Sequence, residues 1–322
     1  MKLPLQKIRA LLYSKILTFF LEKGFTPVEV PILSQFAIPE NTIDLMETEY
    51  SRLEKRKKLY LTPSPEIFLK SLLAQGWGDL FCLTKSFRNG EIGEGKHNME
   101  FTMLEYYKTA ATYKESLQLT EAFFDFLIKE KKNWGVEKVS ESCRPPFLQI
   151  SIAEVFFHQL GIDLERSIKG KSFRKAMEEK TNRLFDGYSD EDIFQWAMVA
   201  FIEPNLPKEK GVFLIDYPSF VTTTGKSAQN PFWTQRWELY IRGLEIANCY
   251  TEKSNRLEME AYYQNEKKSA STEQEKRYLQ QFDHFPECSG TAMGVDRLLM
   301  ALLELEEINN LLLFPQKDPN CV

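Results

Sequence analysis

The sequence has little of the material from which metal sites and disulfides are made. It contains three histidines, and its five cysteines form no Cys-x-x-Cys pair. Scattered histidines and separated cysteines argue against a zinc site. An odd number of cysteines without regular spacing is typical of free thiols in a reducing compartment. The composition therefore predicts a cytoplasmic protein.

Long apolar runs are also missing. No run approaches the roughly 20 residues that a membrane-spanning helix needs. Residues 1–20 are partly apolar, but Lys7, Arg9 and Lys15 interrupt them and no small-residue cleavage site follows. We therefore expect a long amphipathic helix of the mature protein there, and no membrane partner.

Positive charge is not in excess, because 41 Lys and Arg residues face 46 Asp and Glu residues, for a net charge of -5. A strongly basic nucleic-acid surface is therefore not predicted, which argues against tRNA as a partner but leaves a local basic patch open. Gly-x-Gly-x-x-Gly and Walker patterns are absent, which disfavours Rossmann and P-loop nucleotide sites. No nucleophile elbow supports a Ser-His-Asp hydrolase.

The richest polar chemistry lies in residues 83–108, which read as two strands joined by a polar loop over residues 89–98. Side chains alternate along a strand, so Phe101, Met103, Glu105 and Tyr107 are predicted to share one face. A solvent face is rarely so aromatic, and a core face rarely contains a glutamate. We interpret this face as the floor of a ligand site.

Strand patterns occur along the whole chain and are mostly too close for helical crossovers. They predict an α+β fold with one mainly antiparallel sheet flanked by helices, forming a single domain over residues 1–322. Residues 151–206 read as a mostly helical insertion. Residues 32–48 read as an irregular connection, residues 288–297 as containing a glycine-bearing turn before a helix, and residues 311–314 as a closing strand.

Two arginines from distant segments, Arg88 and Arg297, could clamp a polyphosphate, although a lone arginine is more often a surface ion-pair partner. Phe101 could stack on a base or belong to the core. Glu238 and Glu245 could hold Mg²⁺, but their odd separation requires a turn near Gly243 to bring them to one face. As an isolated pair they read equally as solvated surface.

A second group of residues suits a cationic substrate, because an ammonium gains from both carboxylates and aromatic faces. Glu66 also has a competing interpretation as an acid in a helix first turn. The group consists of Glu66, Glu105, Tyr107, Asn248, Tyr250 and Glu252.

Three segments, in order along the chain, resemble the signature motifs of class II aminoacyl-tRNA synthetases. Residues 25–31 resemble the first motif, residues 87–105 (with FRNGE and HNMEFTMLE) the second, and residues 290–297 (GTAMGVDR) the third. Three motifs in order are highly specific. The chain therefore resembles the lysyl type of this family over nearly its whole length.

Within that type, the chain most resembles the truncated lysyl-synthetase paralogues that ligate (R)-β-lysine to elongation factor P. A lysyl-tRNA synthetase carries an anticodon-binding barrel before the first motif, and we expect no such domain here because the first helix starts near residue 4. Ala292 stands where the tRNA enzyme usually has glycine. Cys249, Tyr250 and residues 222–229 depart from the family pattern and leave the exact substrate open.

The resemblance implies specific roles. It implies that the catalytic residues are Arg88, Arg297 and Glu245. It implies an ATP site of Arg88, Glu91, His97, Asn98, Phe101, Glu238, Glu245 and Arg297, with Mg²⁺ on Glu238 and Glu245. It implies a substrate pocket of Glu66, Glu105, Tyr107, Asn248, Tyr250, Glu252 and Ala292.

The activity implied is that of an ATP-dependent ligase. It would activate (R)-β-lysine or lysine as an acyl-adenylate and transfer it to a lysine ε-amine of elongation factor P. The family also implies a homodimer formed through the first motif. A minimal lysyl-tRNA synthetase and a catalytically silent binding or regulatory paralogue remain as alternatives, and the choice between lysine isomers, the acceptor and the number of Mg²⁺ ions stay open.

Overall fold

The computed structural model of the protein describes residues 2–36, 43–52, 55–90, 95–266 and 272–315. Elements within these ranges are numbered in chain order. The α-helices are α1 Lys2–Glu22, α2 Glu66–Ala74, α3 Tyr113–Lys129, α4 Ile152–Leu160, α5 Leu164–Lys169, α6 Phe173–Thr181, α7 Asp190–Ala197, α8 Arg256–Glu266, α9 Glu273–Gln280 and α10 Val295–Leu303. The strands are β1 Thr26–Pro27, β2 Leu33–Ser34, β3 Glu47–Arg52, β4 Lys55–Leu61, β5 Leu80–Phe87, β6 Glu100–Thr109, β7 Leu148–Ser151, β8 Val212–Pro218, β9 Trp233–Ile241, β10 Leu244–Thr251 and β11 Cys288–Gly294.

An eight-stranded sheet forms the centre of the molecule, in the order β1-β5-β6-β11-β10-β9-β8-β7. Its six inner strands, β5 to β8 in that order, are antiparallel to one another. A smaller sheet, β2-β4-β3, is separate from it. Helices pack on both faces of the large sheet, which confirms the predicted α+β class. No helix in the described part of the chain has the length and apolar character needed to span a bilayer.

The large sheet is mainly antiparallel, as predicted, and the pairs at its two edges are parallel. β1 pairs in parallel with β5, and β7 pairs in parallel with β8. Parallel neighbours need a long crossover, and both connections supply one. The β7–β8 connection contains α4 to α7, so the helical segment predicted at 151–206 is the crossover between two adjacent strands.

The two faces of the large sheet are covered differently. One face lies under α1, α3 and α10, whose Phe20, Phe124 and Leu298 share a core with Leu104 and other residues of the strands. Among the described residues, apolar helices cover the opposite face at its two ends. Helices α4 to α7 pack on β8 at one end, and α2, α8 and α9 pack beside β5 at the other. The central strands β6, β11, β10 and β9 carry polar side chains between these two clusters.

Short-range features of the fold follow directly from the local sequence. Two helices begin with a capping box, α3 with Thr112 and Glu115, and α4 with Ser151 and Glu154. The turn required near Gly243 is present: Arg242 (φ 54°) and Gly243 (φ 74°) join β9 to β10. Positive φ angles at both central residues are typical of a type I′ turn, the two-residue hairpin turn whose twist matches that of the two strands.

Three predictions are wrong. The segment predicted to be irregular, residues 32–48, contributes β2 and the start of β3. Residues 288–294 form a strand that pairs with β10 on one side and with β6 on the other. Residues 311–314 form no strand; Leu313 and Phe314 are exposed, and the chain there has left the sheet, so an apolar run had no strand to pair with.

Candidate active site

The register of the central strands places the candidate residues in two rows on one face. Directly paired residues of an antiparallel sheet point to the same side. The first row runs across β6, β11, β10 and β9 through Glu105, Ala292, Asn248 and Glu238. The second row, in the same strand order, contains Tyr107, Gly290, Tyr250 and Arg236.

The turn between β9 and β10 decides which side Glu245 faces. Glu245 pairs with Tyr240, which lies two residues from Glu238 on β9 and so shares its face. The register then shifts between Glu245 and Ala247, and Asn248 pairs with Glu238. The extra residue, Ile246, lets Asn248 face the same side as Glu245 although their separation is odd.

A cleft of about 610 Å³ opens at one end of this face. Its walls include predicted ATP-site and substrate-pocket residues from both sides of the hairpin loop, from β10 and β11, and from α10. They are Arg88, His97, Asn98, Phe101, Glu245, Asn248, Ala292 and Arg297. We call this space the cleft.

Both arginines of the cleft are held by neighbours. The Arg88 guanidinium carbon lies 5.4 Å from the centre of the Phe101 ring. Arg297 donates a hydrogen bond to the Glu245 carbonyl oxygen at 3.1 Å, and its Nη1 lies 3.5 Å from the Glu245 carboxylate. The adjacent Asp296 fixes the start of α10, since it accepts from the Thr102 amide at 2.7 Å and pairs with Arg9 at 2.6 Å.

Carboxylates gather beside the cleft. Glu238 accepts hydrogen bonds from Tyr217, Tyr240 and Arg236. Burial and the charge of Glu238 raise the pKa of Glu245, against the opposing effect of Arg297 and Arg88. Burial, then Glu238 and Glu245, raise the pKa of Glu203 to about 7. A cation near these groups would relieve their mutual repulsion.

Hard carboxylate oxygens in a cleft are the donors that Mg²⁺ uses, and that ion takes only one or two carboxylates when phosphates complete its shell. Glu238 and Glu245 fit this requirement. The described residues contain no group of three or more His, Cys, Asp or Glu side chains arranged to hold a metal by themselves. The donor set therefore suits a cation that is shared with a phosphate ligand.

A second, closed region lies next to Tyr107. Here Lys70 of α2 is 1% exposed, and its ammonium pairs with Glu66 at 2.6 Å and with Glu252 at 2.8 Å. Glu252 follows the end of β10, and its amide donates to the Cys288 carbonyl. We call the set Glu66, Lys70, Glu105, Tyr107 and Glu252 the amine pocket.

Glu105 is the most buried acid of the hairpin, at 3% exposed. It accepts hydrogen bonds from Ser64 and from the Tyr107 hydroxyl, the latter at 2.8 Å. Burial and the charge of Glu66 nevertheless raise the pKa of Glu105 to about 8. This side chain is therefore largely protonated at neutral pH in the free protein.

Gly290 leaves the space in which the pocket side chains meet. A Cβ at this position would lie 2.5 Å from the Tyr107 ring and would collide with Oε1 of Glu252. Gly225 acts similarly on the other side, because a Cβ there would lie 2.9 Å from the Tyr250 ring. Gly225 also forms a β-bridge with Glu252, so the atypical loop 222–229 packs on the amine pocket.

A model of the family described as tRNA synthetases class II (D, K and N) matches residues 4–318. The chain belongs to this family.

Relatives extend the likeness across the class II domain. The chain is 30% identical over 317 residues to a protein of Haemophilus influenzae named elongation factor P--(R)-beta-lysine ligase, covering 95% of this chain and 93% of that one. It is 31% identical over 321 residues to the protein of that name from Histophilus somni, with the same two coverages. An Aquifex aeolicus protein named as a homolog of this ligase is 29% identical over 299 residues, covering 92% and 94%.

These matches confirm the class II synthetase fold, and the chain is an enzyme of the ligase kind. The cleft contains most of the residues predicted for ATP, and the amine pocket contains Glu66, Glu105, Tyr107 and Glu252. Asn248 and Ala292 lie between the two in the first row. Glu91 lies outside the residues that the structure describes. The roles of all these residues remain predictions.

Three polar residues of this class II site were missed from the sequence: Lys70, Glu203 and Arg236. Arg236 is buried between the rings of Tyr217 and Tyr250, at 4.3 and 5.1 Å. Its alternation with Glu238 along β9 could have indicated the shared face. Lys70 follows Glu66 by four residues in an otherwise apolar helix, which could have indicated a paired, buried ammonium.

Proposed function

We propose that this ligase activates (R)-β-lysine or lysine with ATP and transfers the aminoacyl group to a lysine ε-amine of elongation factor P. The observation that carries the proposal is the adjacency of two unlike regions on one sheet face. The first row joins Glu105 of the amine pocket to Asn248 and Ala292 of the cleft through directly paired residues. A diamino acid can thus extend from carboxylates to a cleft that suits triphosphate.

In the first step, a substrate carboxylate oxygen attacks the α-phosphorus of ATP, and the bond to pyrophosphate breaks. Arg88 and Arg297 would hold the phosphates, because guanidinium groups keep their charge and match phosphate oxygens. The ring of Phe101 would stack on adenine, with His97 and Asn98 along the wall. Positioning and charge neutralisation suffice here, and no protein nucleophile is required.

Glu238 and Glu245 would hold Mg²⁺, which supplies charge neutralisation at the phosphates when bound. The chain itself contributes the orientation of these acids. Tyr217, Tyr240 and Arg236 fix Glu238, and the turn between β9 and β10 places Glu245 on the same face, beside Arg297.

In the second step, the acceptor ε-amine attacks the carbonyl carbon of the adenylate. The new amide bond forms as the bond to AMP breaks, and the amine loses a proton. Elongation factor P is proposed as acceptor because relatives similar to this chain carry its name. The net charge of -5 agrees with a protein acceptor better than with tRNA.

Pyrophosphate exchange tests the activation step. We expect ATP–pyrophosphate exchange that depends on (R)-β-lysine or lysine and on Mg²⁺, and that norleucine, which lacks the side-chain ammonium, does not support. Lack of exchange with both amino acids would overturn the proposal and would favour a silent binding paralogue.

The acceptor is tested separately by mass spectrometry. Elongation factor P incubated with enzyme, ATP and each lysine isomer is expected to gain the mass of one aminoacyl group. Transfer to transcript tRNA instead of the protein would favour a minimal lysyl-tRNA synthetase.

We also propose a cytoplasmic homodimer that forms through residues 25–31 and α1. Support comes from the apolar side chains Leu11, Leu17 and Leu21, which are 41 to 49% exposed on α1. Light scattering at micromolar concentration is expected to give twice the mass of the 37.6 kDa chain. A monomeric mass would contradict the dimer without affecting the proposed chemistry.

A further inference from the structure

The amine pocket contains an ammonium of its own. Lys70 is fully enclosed, and it bridges two acids from separate parts of the fold, Glu66 in α2 and Glu252 after β10. Neither the proposed binding of ATP nor the transfer step uses this lysine. Its place among the acids proposed to receive a substrate ammonium calls for a physical account.

The charges in the pocket can be counted. The carboxylates of Glu66 and Glu252 contribute two negative charges, and Lys70 contributes one positive charge. Burial alone would lower the pKa of Lys70, but Glu252 and Glu66 together raise it above its ordinary value, so the lysine stays charged. Glu105, with a pKa of about 8, adds little charge at neutral pH. Glu66, Glu252 and Lys70 therefore carry an excess of about one negative charge between them.

Lys253 also interacts with Glu252 and Lys70, and its ammonium donates a hydrogen bond to the Thr223 carbonyl oxygen. Every variant of the amine pocket below retains Lys253, so these variants differ only in the charges of Glu66, Lys70 and Glu252.

Lys70 also determines which carboxylate oxygens it leaves to the pocket. It pairs with Oε1 of Glu66 and with Oε2 of Glu252. Oε1 of Glu252 then lies over Gly290, close to where a Cβ would be. Since Gly290 pairs with Tyr107 and Tyr250 in the second row, this oxygen faces the floor of the site.

We propose that Lys70 is a positioning residue that sets the charge of the amine pocket to accept one substrate ammonium. It neutralises one of two carboxylates and leaves Oε1 of Glu252 over Gly290. The inference rests on the proposed function, because it assumes that the amine pocket binds the terminal ammonium of a lysine-like substrate. It names Lys70 as the residue that adapts the pocket to that ammonium.

Charge counting makes a prediction that a purely structural role does not. Glu66→Gln removes one negative charge and leaves Lys70 to cancel the other, so the pocket no longer attracts an ammonium. Lys70→Met added to Glu66→Gln restores one net negative charge. A second substitution in the same pocket should therefore improve substrate binding.

The measurement is the KM for the lysine isomer in pyrophosphate exchange, with the KM for ATP read in parallel. We expect E66Q to raise the amino-acid KM at least about 30-fold, as truncating a buried charge pair does. The double variant E66Q/K70M should recover at least about tenfold of that loss, since contacting residues couple strongly. The ATP KM should change little in either variant.

Controls separate folding from charge. D125N and D125N/K129M alter an exposed Asp–Lys pair with the same four-residue spacing and should leave both KM values unchanged. E252Q and E252Q/K70M repeat the test with the second carboxylate. If the variants of one glutamate fail to fold, those of the other glutamate still provide the comparison. Circular dichroism and thermal unfolding verify each variant.

The outcomes are distinguishable. Double variants that bind the amino acid better than the matching single Gln variant support the role of Lys70. Double variants that bind no better overturn it and leave the lysine as a structural ion-pair partner. Absence of exchange in the wild-type enzyme would instead overturn the proposed function itself.

Discussion

The cleft and the amine pocket lie on one sheet face but handle charge in opposite ways. In the cleft, Arg88 and Arg297 lie at an opening, and Arg297 pairs with Glu245. In the amine pocket, every acid is held by a buried partner, whether Lys70, Ser64 or Tyr107. The cleft suits a highly charged ligand that binds together with its own counter-ions. The amine pocket has a small net charge that suits a single ammonium. Substitutions at the two ends should therefore affect different kinetic constants.

Arg297→Ala is expected to have the largest effect. Loss of a preorganised cation at the phosphates should lower the exchange rate constant by about 100- to 1,000-fold. The amino-acid KM should change far less, because Arg297 does not contact the amine pocket. Pyrophosphate exchange measures both constants.

Arg277→Ala is a matched control, since Arg277 is an exposed residue of α9 paired only with Glu273 among its charged neighbours in the described chain. It should behave as wild type. An Arg297→Ala enzyme with unchanged turnover would remove the functional contrast between the two ends.

Gly290→Ala tests whether amino-acid binding needs the open space above Gly290 in the amine pocket. The added methyl would meet the Tyr107 ring at 2.5 Å and displace Glu252. Because overpacking of this kind costs about 1 to 3 kcal/mol, we expect the amino-acid KM to rise by roughly 10- to 100-fold. The ATP KM should stay within about twofold.

Gly294→Ala provides the comparison on the same strand, because its methyl would lie no closer than 3.9 Å to any neighbour. A smaller effect on the amino-acid KM is expected there. Equal effects of the two substitutions would show that β11 simply tolerates no side chain.

Phe101→Leu should weaken ATP alone. Loss of an aromatic platform typically costs about 1 to 3 kcal/mol per stacked base, and leucine retains part of the packing, so we expect the ATP KM to rise about 5- to 10-fold. A change confined to the amino-acid KM would show that Phe101 contributes to amino-acid binding rather than to ATP binding. Equilibrium binding of an ATP analogue provides an independent check.

The pH dependence of amino-acid binding should be the smallest effect. A substrate ammonium favours ionised Glu105, whose pKa in the free protein is about 8, so binding should expel a proton. The ionised fraction grows about fivefold from pH 7 to pH 8, and affinity should rise by up to that factor. Lys70, Glu66 and Glu252 face the same space and carry the remaining charge.

Glu105→Gln should abolish this dependence. Calorimetry in two buffers of different ionisation enthalpy measures the released proton directly. A proton release at pH 7 that persists in the Gln variant would assign the titration to another group of the pocket.

Sequence patterns predicted the parts of the site that depend on alternation. Phe101, Met103, Glu105 and Tyr107 do share a face, because β6 is regular from end to end. The turn before Glu245 was also predicted, because Glu238 and Glu245 are an odd number of residues apart and could not share a face of one regular strand. The bulge at Ile246 was not, because one extra residue leaves no trace in composition.

Long-range pairing was harder to predict. The Glu66–Lys70 spacing is also that of ordinary exposed helix pairs, and only Glu252, from a segment far along the chain, turns it into a buried pair. The parallel edges were missed for a similar reason: β7 and β8 are adjacent in the sheet but far apart in sequence. Local patterns carry no information about which distant segment will complete a contact.

The crossover from β7 to β8 also has a consequence for the order of assembly. The β5–β6 and β9–β10 pairs close short loops, whereas β7 meets β8 only after the chain from residue 152 to residue 211 has been looped back. Closing a longer loop costs more entropy before any contact rewards it. The β7 edge should therefore join β8 after the β9–β10 hairpin has formed, and the amides of β7 should gain protection from hydrogen exchange later than those of β9 and β10 during refolding.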